Sequence, residues 1–439
     1  MTTPLLREST SSPLAPIPIS EPVSPLPVME GGGDGRGAGG EGSGREGKAD
    51  AGPLSRLLED TGIPCEVVLP SGRTLRFGTG EPKLRVIFRS ERVLRQAFDE
   101  LALGRAYLEG ELDLEGDLWS VFEIRERLRD PTRLGAVLRF LAHLFLIAPT
   151  RLNQKSISFH YDFGDDFYHS FLDTRYHFYS HGLFHDETET LEEASEHKLE
   201  TLFAGLRLQP GMRLLDIGGG WGGVTRYCGA RGVHVTSLTL ARDSHRYIRN
   251  LLDTTGLPGE VHFQDFLEHR PERPYDAIVI LGVIEHLPNY RRFCERAWEC
   301  LAPGGRLYMD ASASKEKYVM SNFTRQYIWH GTHTFMAVQD IVQEMLWNGF
   351  EVEEVKRETR DYDLTLRHWA ERFDAARDWI VERWGERVYR AFRIYLWGAC
   401  HAMRTDRLQA YHLVARRRPE SGPRPGLARR VRHFVRSLR

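Results

Sequence analysis

No stretch of this chain is long and apolar enough to cross a bilayer. The longest candidate, Leu134 to Pro149, is short and carries Arg139 and His143. The first residues also lack the apolar core of a signal peptide. Cysteine is scarce: five in 439 residues, at 65, 228, 294, 300 and 400, with no C-x-x-C pair. That excludes a disulfide scaffold, offers no zinc site, and fits a reducing cytoplasm. Net charge is nearly absent, with 59 Lys and Arg against 61 Asp and Glu, so no overall field attracts nucleic acid. The expectation is a cytoplasmic protein whose positive charge is local.

Residues 1–52 are rich in Pro, Ser and Gly and offer too little apolar surface to offset the entropy of ordering, so they read as disordered. Residues 53–125 form a small α+β unit. Glu66–Leu69 and Thr74–Phe77 alternate around a Pro-Ser-Gly-Arg turn, which predicts a hairpin. Leu84–Phe88 reads as another strand, and 91–103 as a helix. Residues 126–155 are a helical linker: Arg133–Leu146, ended by Pro149, reads as a core helix joining two domains rather than one that touches lipid. From 156 to 415 a helical pattern at 186–206 precedes apolar runs at Leu214–Leu215, Val233–Leu238, Val261–Phe263, Ala277–Leu281 and Arg306–Met309, with helices between. This alternation predicts a parallel sheet covered on both faces, whose ligands bind beyond the carboxyl ends of the strands. Asp216, Thr239, Asp265, Gly282 to His286 and Asp310 should then meet in one crevice. The zone 318–415 reads as helical and is rich in aromatics, which suits core packing first and an acyl-chain pocket second.

The sequence is organised around Arg213-Leu-Leu-Asp-Ile-Gly-Gly-Gly-Trp-Gly-Gly223. A strand, a glycine turn and a helix in that order aim backbone N–H groups at a ligand, and glycine permits positive φ and close approach. The acid-x-G-x-G-x-G spacing of Asp216, Gly218, Gly220 and Gly222 resembles the S-adenosylmethionine (SAM) loop of Rossmann-like class I methyltransferases. An α/β fold of that class is expected, with the small α+β N-terminal domain and helical additions around it.

Several further motifs resemble those of the cyclopropane-fatty-acyl-phospholipid synthase family, in order, over about residues 60–416. They are His160-Tyr-Asp-Phe-Gly-Asp-Asp-Phe-Tyr168, Tyr179-Ser180 with Gly182-Leu-Phe184, Asp216 to Gly223, Gly282-Val-Ile-Glu-His286, Phe323 to Trp329, and Tyr362 through Phe373. The Leu103–Asp117 segment is similar to part of the family's smaller N-terminal domain. The resemblance implies SAM-dependent C-methylation of the cis double bond of an unsaturated acyl chain in a membrane phospholipid. The product is a cyclopropane ring or a methylene- or methyl-branched chain, the branched one calling for a separate reductase. The resemblance also implies pairing of two copies through the smaller domain.

In the family a bound bicarbonate takes the proton, held by a Glu, a His, a Tyr and backbone near a Cys and an Ile. Glu285 matches the Glu and Tyr362 the Tyr. His181 stands in place of the Cys, Asp310 in place of the His and Ser312 in place of the Ile. Exchanging His for Asp removes a donor and adds negative charge beside Glu285, which argues against bicarbonate binding as it does in the family. Asp310 or His181 acting as the base, or a different collapse of the cation, are the readings that follow; drift at non-contacting positions is the plain alternative. For SAM, the resemblance places Asp216, Gly218, Gly220 and Gly222 along the methionine and ribose, and Tyr179 and Ser180 near the cofactor. Thr239 and Ser244 fall at ribose positions, and Gln264 and Asp265 where adenine is read.

Residues 416–439 carry nine Arg and one Glu, with Leu427, Val431, Phe434, Val435 and Leu438 on one helical face. A basic amphipathic helix is a peripheral anchor for an anionic membrane surface, and a solvated tail is the bland reading. A nucleic-acid methyltransferase would show a basic face by the site, which is missing. The remaining rival is a catalytically inactive, lipid-binding, methyltransferase-like partner subunit.

Overall fold

The computed structural model describes residues 52–95, 99–127, 163–317, 320–329, 333–420, 426–428, 431 and 435. The segment read as disordered (apart from Gly52), the helix expected at 133–146 and most of the basic tail lie outside those residues.

The first unit runs α1 (Gly52–Thr61), β1 (Cys65–Val68), β2 (Thr74–Phe77), β3 (Leu84–Phe88), α2 (Glu91–Arg95), α3 (Glu100–Leu108), β4 (Leu112–Gly116) and α4 (Leu118–Arg125). Its sheet has the order β2-β1-β3-β4. The expected hairpin is present, with Cys65 opposite Phe77 and Val68 opposite Thr74. Alternation sorts the two faces: Cys65, Val67, Leu75, Phe77, Leu84 and Phe88 are buried. The other face carries cross-strand ion pairs, Arg76–Glu66 at 2.8 Å and Arg85–Glu115 at 3.3 Å. The helix expected over 91–103 ends earlier, at Arg95. A second helix starts after Asp99, whose side chain accepts the Ala102 N–H as its N-cap.

The larger unit begins with α5 (Asp165–His169) and α6 (Leu191–Gly205). α6 starts later than the expected 186 because Thr190 and Glu193 form a reciprocal capping box there. Then follow β5 (Arg213–Ile217), α7 (Gly223–Gly229), β6 (His234–Thr239), α8 (Arg242–Thr255), β7 (Gly259–Phe263), β8 (Tyr275–Leu281), α9 (Tyr290–Cys300) and β9 (Leu301–Ala313). The chain continues through α10 (Asn322–Tyr327), α11 (Val338–Trp347), β10 (Phe350–Arg357), α12 (Thr359–Ala375), α13 (Arg377–Trp384), α14 (Glu386–Arg404) and β11 (Gln409–Arg417).

These strands make a seven-stranded sheet in the order β10-β11-β9-β8-β5-β6-β7. The five strands from β5 to β9 pair in parallel, as expected. The sheet is nevertheless mixed, because β11 lies antiparallel between β9 and β10. The zone 318–415 is therefore not wholly helical. β10 reads Phe-Glu-Val-Glu-Glu-Val-Lys-Arg, and a charged edge strand of this kind gives a weak strand signal. Chain order reverses at β5, between β6 and β8, which opens a crevice at their carboxyl ends.

The aromatics of α12 to α14, Trp369, Phe373, Tyr389 and Phe392 among them, share one buried core with the inner face of the small sheet. Close approach across that seam requires glycine. A Cβ on Gly104 of α3 would lie 2.5 Å from the Phe323 ring.

Removing the α6 cap should be measurable: Thr190→Ala is expected to cost about 1 kcal/mol in urea unfolding, with the slope unchanged.

Candidate active site

The glycine turn after β5 is held by Gly218 and Gly219 N–H groups donating to the Leu238 carbonyl at 2.8 and 3.0 Å. Gly218, Gly220 and Gly222 all have positive φ. A Cβ on Gly218 would strike Val283, whereas one on Gly220 would project into open space. That space is a cavity of about 110 Å³ walled by Gly218, Gly220, Thr239, Ser244, Gln264 and Asp265, and also by Asp165, Trp221 and Asp243. The Ser244 hydroxyl donates to the Gly220 carbonyl at 2.5 Å and steadies the turn. Thr239 accepts the Ala241 N–H at 3.1 Å. The Gln264 side chain bonds His269 at 3.0 Å. Asp265 caps the turn 266–268 through the Leu267 N–H at 2.8 Å and also lines the cavity. Asp165 accepts the Trp221 indole N–H at 2.8 Å, and this pair was not anticipated.

Four residues that the resemblance puts at the cofactor do not line this cavity. Asp216 is buried behind the turn, where it accepts the Ser237 hydroxyl at 3.2 Å, and burial pushes its carboxyl up to about 7. Gly222 is the left-handed N-cap of α7, packed against Leu251. Tyr179 lines a different, larger cavity. Ser180 accepts from the ammonium of Lys198 at 2.6 Å.

The larger cavity, about 420 Å³, meets the first at Gly282 and His286, which line both. Tyr179, Trp329, Phe335, Tyr362, Trp369 and Tyr395 give it aromatic walls, and the Trp329 indole donates to the Tyr395 hydroxyl at 3.1 Å. Glu285 opens onto this cavity. Its Oε1 accepts the Ser312 N–H at 2.9 Å and the Ser312 hydroxyl at 2.8 Å. Its Oε2 is buried with no hydrogen-bond partner. Burial, against the Ser312 bonds, pushes the carboxyl up to about 7. Burial also pushes His286 down to about 4, so that ring is neutral at pH 7.

Asp310 and His181 do not line either cavity, and both are engaged elsewhere. Asp310 forms a buried ion pair with Lys198 of α6 at 2.6 Å, both side chains 1% exposed, and its other oxygen accepts the Gly282 N–H at 2.9 Å. Lys198 further donates to the His181 carbonyl at 2.8 Å. The extra negative charge expected beside Glu285 is thus paired with a lysine, although the Asp310 charge still adds to the upward push on Glu285. His181 donates to Glu358 at 2.8 Å, and His412 donates to the other Glu358 oxygen at 2.5 Å. Burial disfavours the Glu358 anion, but these two bonds outweigh it and hold the carboxyl well below its usual range. Glu358 precedes α12, and His181 stacks on Tyr362 of that helix at 4.9 Å. Neither Asp310 nor His181 is placed to take a proton from a ligand in the cavity.

Lys198→Met would strand the Asp310 carboxylate and is expected to cost about 3–5 kcal/mol, with Lys198→Met/Asp310→Leu recovering most of that loss in thermal unfolding.

The comparisons with known proteins agree with this geometry. A family model for mycolic acid cyclopropane synthetase matches residues 149–413. A probable fatty acid methyltransferase of Pseudomonas putida is 25% identical over 388 residues, 82% of this chain and 94% of its own length. The cyclopropane-fatty-acyl-phospholipid synthase of Escherichia coli K12 is 29% identical over 342 residues, 76% of this chain and 87% of its own. Among solved structures, a mycolic acid cyclopropane synthase complexed with SAH and CTAB superposes with a TM-score of 0.56 at 26% identity, over 60% of this chain and 98% of that one. With the family model spanning more than half of the sequence and the glycine turn built on a class I methyltransferase sheet, the chain belongs to the mycolic acid cyclopropane synthetase family and is an S-adenosylmethionine-dependent methyltransferase acting on unsaturated fatty acyl chains.

Proposed function

We propose that this chain methylates the cis double bond of unsaturated acyl chains carried by membrane phospholipid, and that Glu285 itself receives the proton the product loses. The observation that carries this reading is Glu285, which lines the aromatic, apolar cavity and whose buried Oε2 has no hydrogen-bond partner.

The residues fit the cofactor: Gly220 leaves open the space that a Cβ would fill, and Thr239, Gln264 and Asp265 present polar groups around it. The narrower cavity alone falls below the size of a typical cofactor site, so a ligand seated there has to continue past Gly282 and His286. Bound SAM supplies an electrophilic methyl group. The cavity would hold the alkene against the donated methyl, and such positioning would remove part of the barrier. Tyr179, Trp329, Trp369 and Tyr395 present aromatic faces that stabilise the resulting cation without trapping it. Glu285 Oε2 then takes a proton. Loss from the added methyl closes a ring; loss from a chain carbon leaves a branched alkene, which a separate reductase would saturate.

Bicarbonate has little to hold it here. Ser312 spends both donors on Glu285, Asp310 is paired with Lys198, and His181 donates to Glu358. The cavity's Arg125 and Arg407 are each paired with a carboxylate, Glu100 and Glu126, at 2.8 Å.

Membrane attachment through the C-terminal tail is part of this proposal. Leu427, Val431 and Val435, at one helical spacing, are exposed.

Four outcomes test these readings. Methyl-labelled SAM with unsaturated phospholipid vesicles should add one CH₂ to an acyl chain, with NMR separating ring from branch; an inactive partner subunit would bind SAM and leave the lipid unlabelled. The rate should rise with pH through about 7 and level off above it, since only the ionised carboxylate accepts a proton. Glu285→Gln should lower the rate by about 10²- to 10⁴-fold, and removing bicarbonate should change nothing; a bicarbonate requirement would sink the direct role of Glu285. Deleting 419–439 should weaken flotation with anionic vesicles, and undiminished flotation would exclude the tail as anchor.

A further inference from the structure

The larger cavity does not stop at the residues that perform the chemistry. Leu84, Val86 and Phe88 of β3 and Leu112 and Leu114 of β4 also line it. These are alternate residues on each strand, so one face of the small sheet is a wall of the reaction chamber. Val86 and Leu114 are paired directly across the two strands. Leu84 and Phe88 are almost fully closed to solvent.

We propose that this sheet face receives the methyl-terminal arm of the acyl chain and so selects which double bond reaches Glu285. The proposal rests on the reading of the site as an alkene methyltransferase. The wall is hydrocarbon, and its charged residues Glu100 and Arg125 are paired with each other at 2.8 Å. An ester or phosphate placed there would lose its hydration without finding a partner, whereas a terminal methyl loses nothing. An arm that ends against this apolar face leaves room for a set number of methylenes between the face and the reacting carbon. The small domain therefore acts as a ruler, even though it carries none of the reacting groups.

The test is a competition in phosphatidylglycerol vesicles between two positional isomers of a cis-octadecenoyl chain whose methyl-side arms differ by two carbons. Val86→Phe and Leu114→Phe raise the floor and should shift the product ratio toward the shorter arm by about tenfold, the scale of discrimination a methylene gives in such a pocket. Leu114→Ala lowers the floor and should shift the ratio toward the longer arm. It decides the matter alone if the Phe variants do not fold. A ratio that stays within about twofold of the unsubstituted protein, or that moves in the opposite sense, overturns the ruler. These failures are distinct from failure of the site reading, in which the unsubstituted protein labels neither isomer.

Discussion

The buried contact between Lys198 and Asp310 holds the reaction centre together. It joins segments far apart in sequence: α6 supplies the ammonium, β9 the carboxylate, and the 180–181 backbone and hydroxyl complete the ammonium's shell. Removing two charges from water is costly, and only such a set of short bonds offsets the cost. The benefit is geometric. The second Asp310 oxygen holds the N–H of Gly282, the residue through which the two cavities meet. Two positions further along the same strand, and therefore on the same side, Ser312 grips Glu285. One strand thus fixes both the cavity junction and the carboxylate that faces it.

The two carboxylates held at β9, one on the strand and one gripped by it, illustrate how environment assigns roles. Asp310 has a cation and a backbone donor and is spent on structure. Glu285 has donors on one oxygen only, and burial raises its carboxyl to about 7. A third carboxylate, Glu358, is held low by two imidazoles and anchors the start of the helix that carries Tyr362.

What was legible in the sequence follows the same division. The glycine turn announces itself, because the residues that adopt positive φ are few and their spacing fixes the strand and helix around them. The strands β5 to β9 were legible from apolar runs. β10 and β11 were not, since an edge strand studded with Glu and a strand set among aromatic helices carry little alternation. Lys198 was illegible for a different reason: a lysine in a helix ordinarily faces solvent, and only the packing of α6 against Asp310 shows otherwise. The resemblance puts Tyr179 and Ser180 near the cofactor; in the structure Tyr179 lines the aromatic cavity that adjoins the glycine-turn cavity, and Ser180 meets the buried ammonium.

In the proposed reaction the raised pKa of Glu285, set first by burial with the Asp310 charge adding to it, and the apolar walls around it serve one end. A chamber that must shelter a carbocation has to exclude water, or the cation would be captured as an alcohol. Excluding water also strips the carboxylate of its solvation, which makes it a better proton acceptor than an exposed glutamate. Adding a cation or further donors beside Oε2 would stabilise the anion and lower its basicity. In the proposed reaction the missing partner at that oxygen is what would let this carboxyl act as a base near neutral pH, while Ser312 secures the other oxygen.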